Sequence, residues 1–459
     1  MAAAAAAAWL GKAPPSERPP RAVVLVTIDT LRADHLGCYG YPRPTSPFLD
    51  GLARGGVLFE NAYSSISHTT PAHATLFTGL YPAQHRVLRN GEGFAGSLIG
   101  DARLPYHTMA ELLARAGYET AAFTGVGFLR PVARGFTTVS AAGDWRQYEQ
   151  ADAVASDAVR FVATKRPADR FFLWVHLFDP HAPDRAPEDL LRRLRHPSEE
   201  EEAAFGQAMR VARGIPEAFH RSPADLAQAF TRYDAEVAFA DRELGRLFAT
   251  MEQRGLNERA LWIVTADHGE GLGSHGYGGH GLFVYNEQIR VPLIVYEGGR
   301  RAGARVRDLV RHVDVLPTLA ERLAVPFAQP GFTLPGRSLG PLLRGSWRPL
   351  PPATLFAERR PPDEAHQAVW EPGEVFSVQD LEWKYVVHTE GKDELFDLRA
   401  DPLELANLVD DRAALKAKER LGRVARDTRV SLAREGGRVR PSPFEPRMRD
   451  ELRALGYVN

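Results

Sequence analysis

A continuous run of apolar and β-branched residues near the start of the chain, AVVLVTID at residues 22–29, limits the folds that are open to it. The run is bounded by turn signals and ends on an acid. Such a run is typical of a central strand that is buried on both faces of its sheet. It therefore predicts a sheet with helices covering both sides.

The segments downstream alternate between extended and helical patterns. Predicted strands are VLFENAY (57–63), YETAAFTG (118–125), RFFLWVHLFD (170–179), ALWIVTADHG (260–269) and IRVPLIVY (289–296). Predicted helices include TSPFLDGLARGG (45–56), MAELLARAG (109–117), ADAVASDAVRFVATKR (151–166), 225–251 and VLPTLAERLAV (315–325). This alternation favours an α/β fold with a large, mostly parallel or mixed sheet flanked by helices.

The pattern changes near the end of the chain. ATLFAE, VFSVQDLEWKYVVHT and DELFDL, within residues 353–398, are predicted antiparallel strands of a small C-terminal subdomain. We therefore expect a disordered or weakly helical leader at 1–21, a catalytic domain at 22–330 and a C-terminal subdomain at 331–459. Charge runs and helical patterns at 183–223 predict a surface insertion.

Composition excludes several classes of function. Lys and Arg number 57 and Asp and Glu 58, so no net field favours nucleic acid or an anionic membrane. The single cysteine, Cys38, cannot form an intramolecular disulfide. No segment reaches the ~18 uninterrupted apolar residues of a spanning helix, and the leader lacks the basic stretch of a secretory signal. We expect a soluble protein, with a cytoplasmic location favoured and periplasmic or secreted locations as alternatives.

Acids and imidazoles follow three of the predicted strands. Asp29 ends the first run, and Asp267 and His268 end ALWIVTA. His176, Asp179 and His181 lie in WVHLFDPHAP. Because ligands of open α/β sheets bind beyond the carboxyl ends of the strands, these side chains are expected to converge.

The stretch SHTTPAHATLFTGLYP places two threonines before a proline. Pro71 suits the first position of an amphipathic helix and Thr70 suits its N-cap, which leaves Thr69 without a structural role. Asp29, Asp267 and His268 form a plausible ligand set for a divalent cation, with the Thr69 hydroxyl as a fourth member. A cation would activate that hydroxyl for in-line displacement at phosphorus or sulfur, and His73 and His181 are candidates for additional positive donors.

Each residue also has a structural interpretation. Asp29 alone can cap a turn, and Asp267 and His268 alone can stabilise a loop. A core role and a functional role for His176 are equally consistent with its position. His275 and His280 lie in GLGSHGYGGHGLFVY, where glycines permit either a mobile flap or an exposed loop. The functional interpretation rests on the conjunction of these motifs.

From about Val23 onward the chain resembles the sulfatase family of the alkaline phosphatase superfamily. VTIDTLRADHLGCYGY resembles its first metal-ligand strand, and TADHGEGLGSHG resembles its second ligand pair. HVDVLPTL and DELFDLRADPLELANL resemble its later signatures, and TTPAHATLFTGLYPAQHRV occupies the place of the nucleophile motif.

The nucleophile motif departs from the family pattern. Formylglycine sulfatases carry Cys-x-Pro-x-Arg, whereas here Thr69 replaces the cysteine and His73 the arginine. A threonine cannot follow the known route to formylglycine. Relatives that use an unmodified threonine or serine act mainly on phosphate esters through a covalent intermediate, and by that similarity Thr69 would be the nucleophile.

The resemblance also implies roles for other residues. The metal ligands would be Asp29, Asp267 and His268, and contacts to substrate oxygens or the leaving group would come from Asn90, His181 and His280. Asn90 matches the spacing of phosphonate monoester hydrolases, whereas His280 stands where the family usually has a lysine and the spacing to Arg290 is offset by one. The imidazole ligand favours manganese or zinc over calcium or magnesium.

We expect one metal rather than two, although Asp179, His181 and His280 are candidates for a second site. The expected activity is hydrolysis of a small-molecule sulfate or phosphate ester, including phosphodiesters and phosphonates. The alternatives are a transferase that passes the group to an alcohol and a non-catalytic protein that keeps the fold to bind a partner.

Overall fold

Strand β1 is the centre of the main sheet in the computed structural model, which describes residues 18–93, 106–141, 148–183, 185–194, 223–300, 303–344, 350–359 and 373–436. The sheet has eight strands in the order β4-β3-β5-β1-β6-β7-β2-β8. They are β1 (Ala22–Ile28), β2 (Val57–Tyr63), β3 (Glu119–Thr124), β4 (Thr138–Ala141), β5 (Phe171–Leu177), β6 (Ala260–Ala266), β7 (Arg290–Glu297) and β8 (Ala304–Arg311).

The sheet is mixed, as predicted. β1 pairs in parallel with β5 and β6, and β3 pairs in parallel with β5 and β4. β7 runs antiparallel to β6 and β2, and β8 is parallel to β2. All seven residues of β1 are buried, which confirms the prediction from its apolar sequence. The edge strands β4 and β8 escaped prediction because they carry exposed polar side chains that interrupt the apolar pattern.

Helices cover the sheet. They are α1 (Pro47–Gly55), α2 (Thr69–Thr78), α3 (Pro82–His85), α4 (Met109–Arg115), α5 (Ala151–Ala163), α6 (Glu188–Leu194), α7 (Pro223–Gln253), α8 (Asn286–Ile289), α9 (Val315–Leu323), α10 (Gly340–Leu343) and α11 (Leu415–Gly436). Short 3-10 turns lie at Ala33–His35, Gly37–Tyr39, Gly127–Val132, Asn257–Arg259, Ser274–Gly276, His312–Asp314 and Arg412–Ala414.

Helix α2 differs from its prediction in two respects. It begins at Thr69 with His68 as the N-cap, whereas Thr70 was the predicted cap. The Thr70 hydroxyl instead accepts a hydrogen bond from the backbone N–H of Gly91 at 3.1 Å. All ten residues of the helix are buried, so it is not amphipathic. Helices α4 and α9 contact it and cover the face that would otherwise be exposed.

A second, antiparallel sheet confirms the predicted change of pattern near the C-terminus. Its order is β12-β11-β10-β9, with β9 (Leu355–Arg359), β10 (Val375–Gln379), β11 (Trp383–His388) and β12 (Glu394–Asp397). Helix α11 packs on this sheet through Leu421, Ala425 and Leu432. The domain boundaries drawn from the sequence stay predictions.

Two predicted segments lie largely outside the described residues. Only the last four residues of the leader, 18–21, are described, and of the insertion at 183–223 the described part contains helix α6. Among the helices that the structure describes, none combines the length and the apolar character that crossing a bilayer requires.

Candidate active site

The predicted strand ends meet at one edge of the sheet. β5, β1 and β6 are neighbours, and Thr27 is in register with both His176 and Thr265. Asp29 therefore lies beside Asp267 and His268. Each of the three residues offers one potential metal-ligand atom, and these three atoms all lie within 4.8 Å of one another. All three side chains are fully buried. In the described part of the chain this is the one group of three such side chains that could hold a metal ion.

Three of the four carboxylate oxygens of this group have no hydrogen-bond donor among the described residues: both oxygens of Asp29 and Oδ2 of Asp267. The fourth, Oδ1 of Asp267, accepts from the backbone N–H groups of His268 at 2.9 Å and Thr30 at 3.3 Å. Burial, and then the nearby Asp267 carboxylate, raises the pKa of Asp29 well above its usual range. Burial also raises the pKa of Asp267 to about 6. Buried carboxylates without donors are costly as anions, and a divalent cation would satisfy them, so the residues present fit a metal.

His268 has the tautomer that a metal ligand requires. Its Nδ1–H donates to the carbonyl of Gly269 at 2.9 Å, which leaves Nε2 directed at the carboxylates. That nitrogen lies 3.5 Å from Oδ2 of Asp267 and 3.9 Å from Oδ1 of Asp29. Burial lowers the pKa of His268 to about 3, which keeps the ring neutral and able to bind a cation.

Thr69 lies at the same point. It is the first residue of α2, it is fully buried, and its hydroxyl lies 3.3 Å from Nε2 of His268. The helix therefore places this hydroxyl beside the candidate metal-binding group, which consists of Asp29, Asp267 and His268. The amino-terminal end of the helix also favours an anionic ligand beside the hydroxyl.

Asn90 is held against the same helix end. Its Oδ1 accepts a hydrogen bond from the backbone N–H of Thr70 at 2.9 Å, while its Nδ2 has no partner among the residues that the structure describes and the side chain is buried. One half of the amide is thus fixed by the helix. The other half, the Nδ2 amino group, is a hydrogen-bond donor that could bind a substrate oxygen.

Both ring nitrogens of His73 contact protein groups. Nδ1–H donates to the carbonyl of Thr69 at 2.7 Å, and Nε2 lies 2.9 Å from the hydroxyl of Thr27. The ring is fully buried on the side of its own helix, α2, that faces Thr27 of strand β1. In this arrangement the ring holds the backbone of Thr69, and the donation to substrate that the sequence predicted stays a prediction.

His181 and His280 lie beside the candidate metal-binding group. The His280 ring centroid is 4.5 Å from that of His268 and 5.1 Å from that of His181. Burial lowers the pKa of His280 to about 4, and burial together with His280 lowers that of His181 to about 3. Two neutral imidazoles thus extend the site from His268 outward.

Sequence reasoning missed Glu270. Its Oε2 lies 3.2 Å from Nδ1 of His280, and burial raises its pKa to about 7. The available signal was an acid among glycines directly after the ligand pair, in DHGEG.

Asp179 and His275 have other partners. The Asp179 carboxyl shares a hydrogen bond with Glu236 rather than joining the metal-binding group. His275 donates to Glu287 from Nδ1 at 2.8 Å, and its Nε2 lies 3.0 Å from the carbonyl of Glu404. The loop of His275 is therefore held by these contacts, and most of its residues are half-buried.

Comparison with known proteins adds independent information. The family model described as Sulfatase matches residues 21–325, and the one described as N-sulphoglucosamine sulphohydrolase, C-terminal, matches residues 273–430. A multifunctional alkaline phosphatase superfamily protein, PehA of Trinickia caryophylli, is 26% identical over 485 residues, covering 85% of this chain and 91% of that protein. Arylsulfatase A of Homo sapiens is 29% identical over 431 residues, covering 84% and 78%. The phosphonate monoester hydrolase structure of Agrobacterium radiobacter superimposes with a TM-score of 0.70 at 23% identity, covering 91% of this chain and 96% of that one.

Proposed function

The chain belongs to the sulfatase family of the alkaline phosphatase superfamily, and from that membership we propose that it is a metal-dependent hydrolase of sulfate or phosphate esters with Thr69 as its nucleophile. Relatives include an arylsulfatase and a multifunctional superfamily protein, so both ester classes are candidates. The preference between them is a question for experiment.

One observation carries the proposal. The Thr69 hydroxyl is buried at the start of α2 and lies 3.3 Å from a ring nitrogen of the group formed by Asp29, Asp267 and His268. A threonine with a solely structural role at a helix start would direct its oxygen at the backbone N–H groups of the first turn. The Thr69 hydroxyl instead contacts Nε2 of His268.

The metal would be held by Asp29, Asp267 and His268, with the Thr69 oxygen beside them. A divalent cation in that group would lower the pKa of the Thr69 hydroxyl and offset the charge of the ester oxygens. Manganese and zinc fit an Asp, Asp, His set better than calcium does.

The chain's own residues would bind and orient the ester. The Asn90 amide, held by Thr70, would donate to a non-bridging oxygen. His181 and His280 line the site beyond His268, where the leaving group would lie. Glu270 fixes His280 by accepting from its Nδ1.

The proposed reaction has two displacements. The Thr69 hydroxyl gives up its proton as its oxygen forms a bond to phosphorus or sulfur, the bond to the ester oxygen breaks, and the departing alkoxide takes up one proton in exchange. Water then attacks the Thr69 ester, which restores the hydroxyl and releases phosphate or sulfate.

Hydrolysis assays test the proposal directly. Matched aryl sulfate, phosphate monoester, phosphodiester and phosphonate substrates would be supplied to chelated protein, with manganese, zinc, calcium or magnesium then added back. Thr69→Ala should lower turnover by several orders of magnitude while metal binding persists. Thr78→Ala is the matched control, because the Thr78 hydroxyl donates only to its own helix, to the carbonyl of Ala74.

Trapping the intermediate gives a second readout. Brief reaction followed by acid quenching should leave a phosphoryl or sulfuryl group on the peptide that contains Thr69, and on no peptide of the Thr69→Ala variant. Turnover unchanged in Thr69→Ala would refute the nucleophile assignment. Transfer of the group to an added alcohol in preference to water would identify a transferase instead.

A further inference from the structure

Thr30, the residue that directly follows Asp29, has a backbone conformation that its side chain disfavours. Its φ angle is 54°, in the left-handed region, where a β-branched residue is strained and glycine or asparagine is usual. The Thr30 hydroxyl is buried and has no hydrogen-bond partner among the described residues, so the side chain does not offset this strain. Such a conformation persists only where the surrounding structure imposes it.

In this conformation the Thr30 backbone contacts the candidate metal-binding group. Its N–H donates to Oδ1 of Asp267 at 3.3 Å, and the backbone N–H of His268 donates to the same oxygen at 2.9 Å. Oδ1 is thus occupied by two backbone donors, whereas Oδ2 of Asp267 has none in the described part of the chain. The Thr30 backbone therefore joins the strand end that carries Asp29 to the one that carries Asp267, and it leaves Oδ2 for a cation.

Tyr233, on helix α7, holds both sides of this turn with its hydroxyl. The hydroxyl donates to the carbonyl of Thr30 at 2.7 Å and accepts from the backbone N–H of Arg32 at 2.8 Å. All three residues are buried. A phenol has one hydrogen to give, and here it makes one bond as donor and one as acceptor, so its hydrogens are fully accounted for. These two contacts fix the backbone immediately after Asp29.

The next residue of α7 holds a later part of the same connection. Asp234 accepts from the Tyr41 hydroxyl and from Nη1 of Arg43, each at 2.7 Å. These bonds anchor the chain more than ten residues beyond the metal-binding group, whereas Tyr233 contacts the residue next to Asp29. The two neighbours on α7 therefore differ in what their loss should change.

We propose that Tyr233 is a positioning residue, which holds Thr30 in the left-handed conformation and so fixes the placement of Asp29 relative to Asp267. It acts through the Thr30 carbonyl and does not touch the ion. The inference rests on the metal site of the proposed function, and it does not depend on which ester is cleaved.

Cobalt binding tests this role without using turnover. Metal-free protein would be titrated with Co²⁺, whose visible absorption reports both affinity and coordination geometry, and the melting temperature of the metal-free protein would be recorded in parallel. Tyr233→Phe keeps the ring and removes both hydrogen bonds. We expect its affinity for Co²⁺ to fall roughly 10–100-fold, the usual effect of losing an outer partner of a metal site. Its melting temperature should also fall, because two buried backbone groups lose their partner.

Tyr39→Phe is the matched control, because the Tyr39 hydroxyl makes the same pair of backbone contacts elsewhere. It donates to the carbonyl of Phe59 at 2.8 Å and accepts from the backbone N–H of Leu293 at 2.9 Å. Tyr39→Phe should therefore lower the melting temperature as well, while leaving the affinity for Co²⁺ and the spectrum unchanged. A purely structural role of Tyr233 predicts instead that the two variants behave alike.

Thr30→Gly tests whether the effect passes through the strained residue. Glycine adopts the left-handed region without a Cβ penalty, so this variant should keep an affinity for Co²⁺ close to that of wild type. In the Thr30→Gly background, Tyr233→Phe should lower the affinity much less than it does alone, although the melting temperature should fall by a similar amount. If Tyr233→Phe alone did not fold, recovery of folding and of Co²⁺ binding in the double variant would support the role.

Several outcomes would overturn the role of Tyr233. They are unchanged affinity and spectrum in Tyr233→Phe, an equal loss of affinity in Tyr39→Phe, an equal loss in the wild-type and Thr30→Gly backgrounds, failure of both Tyr233→Phe and the double variant to fold, and failure of the wild-type protein to bind Co²⁺. Tight binding of Co²⁺ to a protein that hydrolyses none of the esters would refute the proposed chemistry and leave the positioning role standing.

Discussion

Asn90 illustrates how one side chain can serve the fold and the site with different atoms. Its Oδ1 accepts from the backbone N–H of Thr70, an N–H that the first turn of α2 leaves without a helical partner. Its Nδ2 has no partner in the described structure. The two halves of the amide can therefore be tested separately.

Asn90→Asp keeps the acceptor for Thr70 and removes the donor. We expect kcat to fall roughly 10²–10³-fold, as for loss of one donor to a developing anion, with little change in melting temperature. Steady-state kinetics with thermal melting would check this. Asn257→Asp is the same change at a buried side chain that accepts from Trp262 and donates to the carbonyl of Phe248, and it should lower the melting temperature while leaving kcat unchanged. Equal kcat values for wild type and Asn90→Asp would exclude contact between the amide and the reacting group.

The ligand residues predict a stabilising effect of metal. Both oxygens of Asp29 and Oδ2 of Asp267 are buried without donors among the described residues, so a cation that binds only the folded state should raise the melting temperature as its affinity and concentration increase. Thermal melting of chelated protein with increasing Mn²⁺ or Zn²⁺ measures this. In Asp267→Asn the increase should largely disappear, and an increase of wild-type size in that variant would place the ion elsewhere.

At the level of elements, the glycine-rich segment 271–281 is anchored rather than free. The His275 ring stacks on Tyr285 with centroids 3.9 Å apart and contacts Glu287 and Glu404. Glu404 in turn pairs with the buried Lys384 at 2.6 Å. These charges connect the loop that carries His280 to the second sheet.

This anchor predicts a pH dependence. Burial lowers the pKa of His275, but the carboxylates of Glu287 and then Glu404 outweigh it and raise the value from 6.5 to about 9. A raised pKa in the folded state means that the contribution to stability is complete below 6.5 and is lost as pH rises through about 9. The difference in melting temperature between wild type and His275→Gln should therefore shrink over that interval.

A double-mutant cycle of His275→Gln with Glu287→Gln would isolate the pair. A coupling energy that stays constant on both sides of this pH interval would contradict the ionic anchor. Hydrogen exchange of the loop amides would show whether the segment opens as the contact is lost.

For the whole molecule, the two sheets share apolar clusters. One cluster joins Tyr63 of β2 and Leu309 of β8 to Leu355 and Val386 of the second sheet. Another joins Tyr81 and Val313 to the face that helix α11 covers. The C-terminal sheet is thus packed on the catalytic part rather than tethered to it.

Shared packing predicts one cooperative unfolding transition. Leu421→Ala, at a fully buried position of α11, should destabilise the protein by roughly 2–5 kcal/mol and shift the whole transition. Denaturant unfolding followed by circular dichroism and by activity would check it. If the second sheet were an independent domain, the variant would instead produce a separate early transition without loss of activity.

The positions of Asp29, Asp267 and His268 followed from the sequence, because apolar runs of this length define buried strands and the carboxyl ends of parallel neighbours meet at one edge. The fold class followed for the same reason. Local composition also marked the change to an antiparallel sheet near the C-terminus. These features depend on the period and burial of a segment, which its own residues encode.

The tertiary structure alone decided how the atoms of those residues are used. His73 is turned inward by the carbonyl of Thr69, Glu270 reaches His280, and Nε2 of His176 lies 3.4 Å from Oδ2 of Asp29. At the start of helix α2, Thr70 is engaged by Asn90 and Gly91, which lie twenty and twenty-one residues further on. Tautomers and hydrogen-bond partners depend on distances of a few tenths of an ångström between distant segments, and no local pattern of residues specifies them.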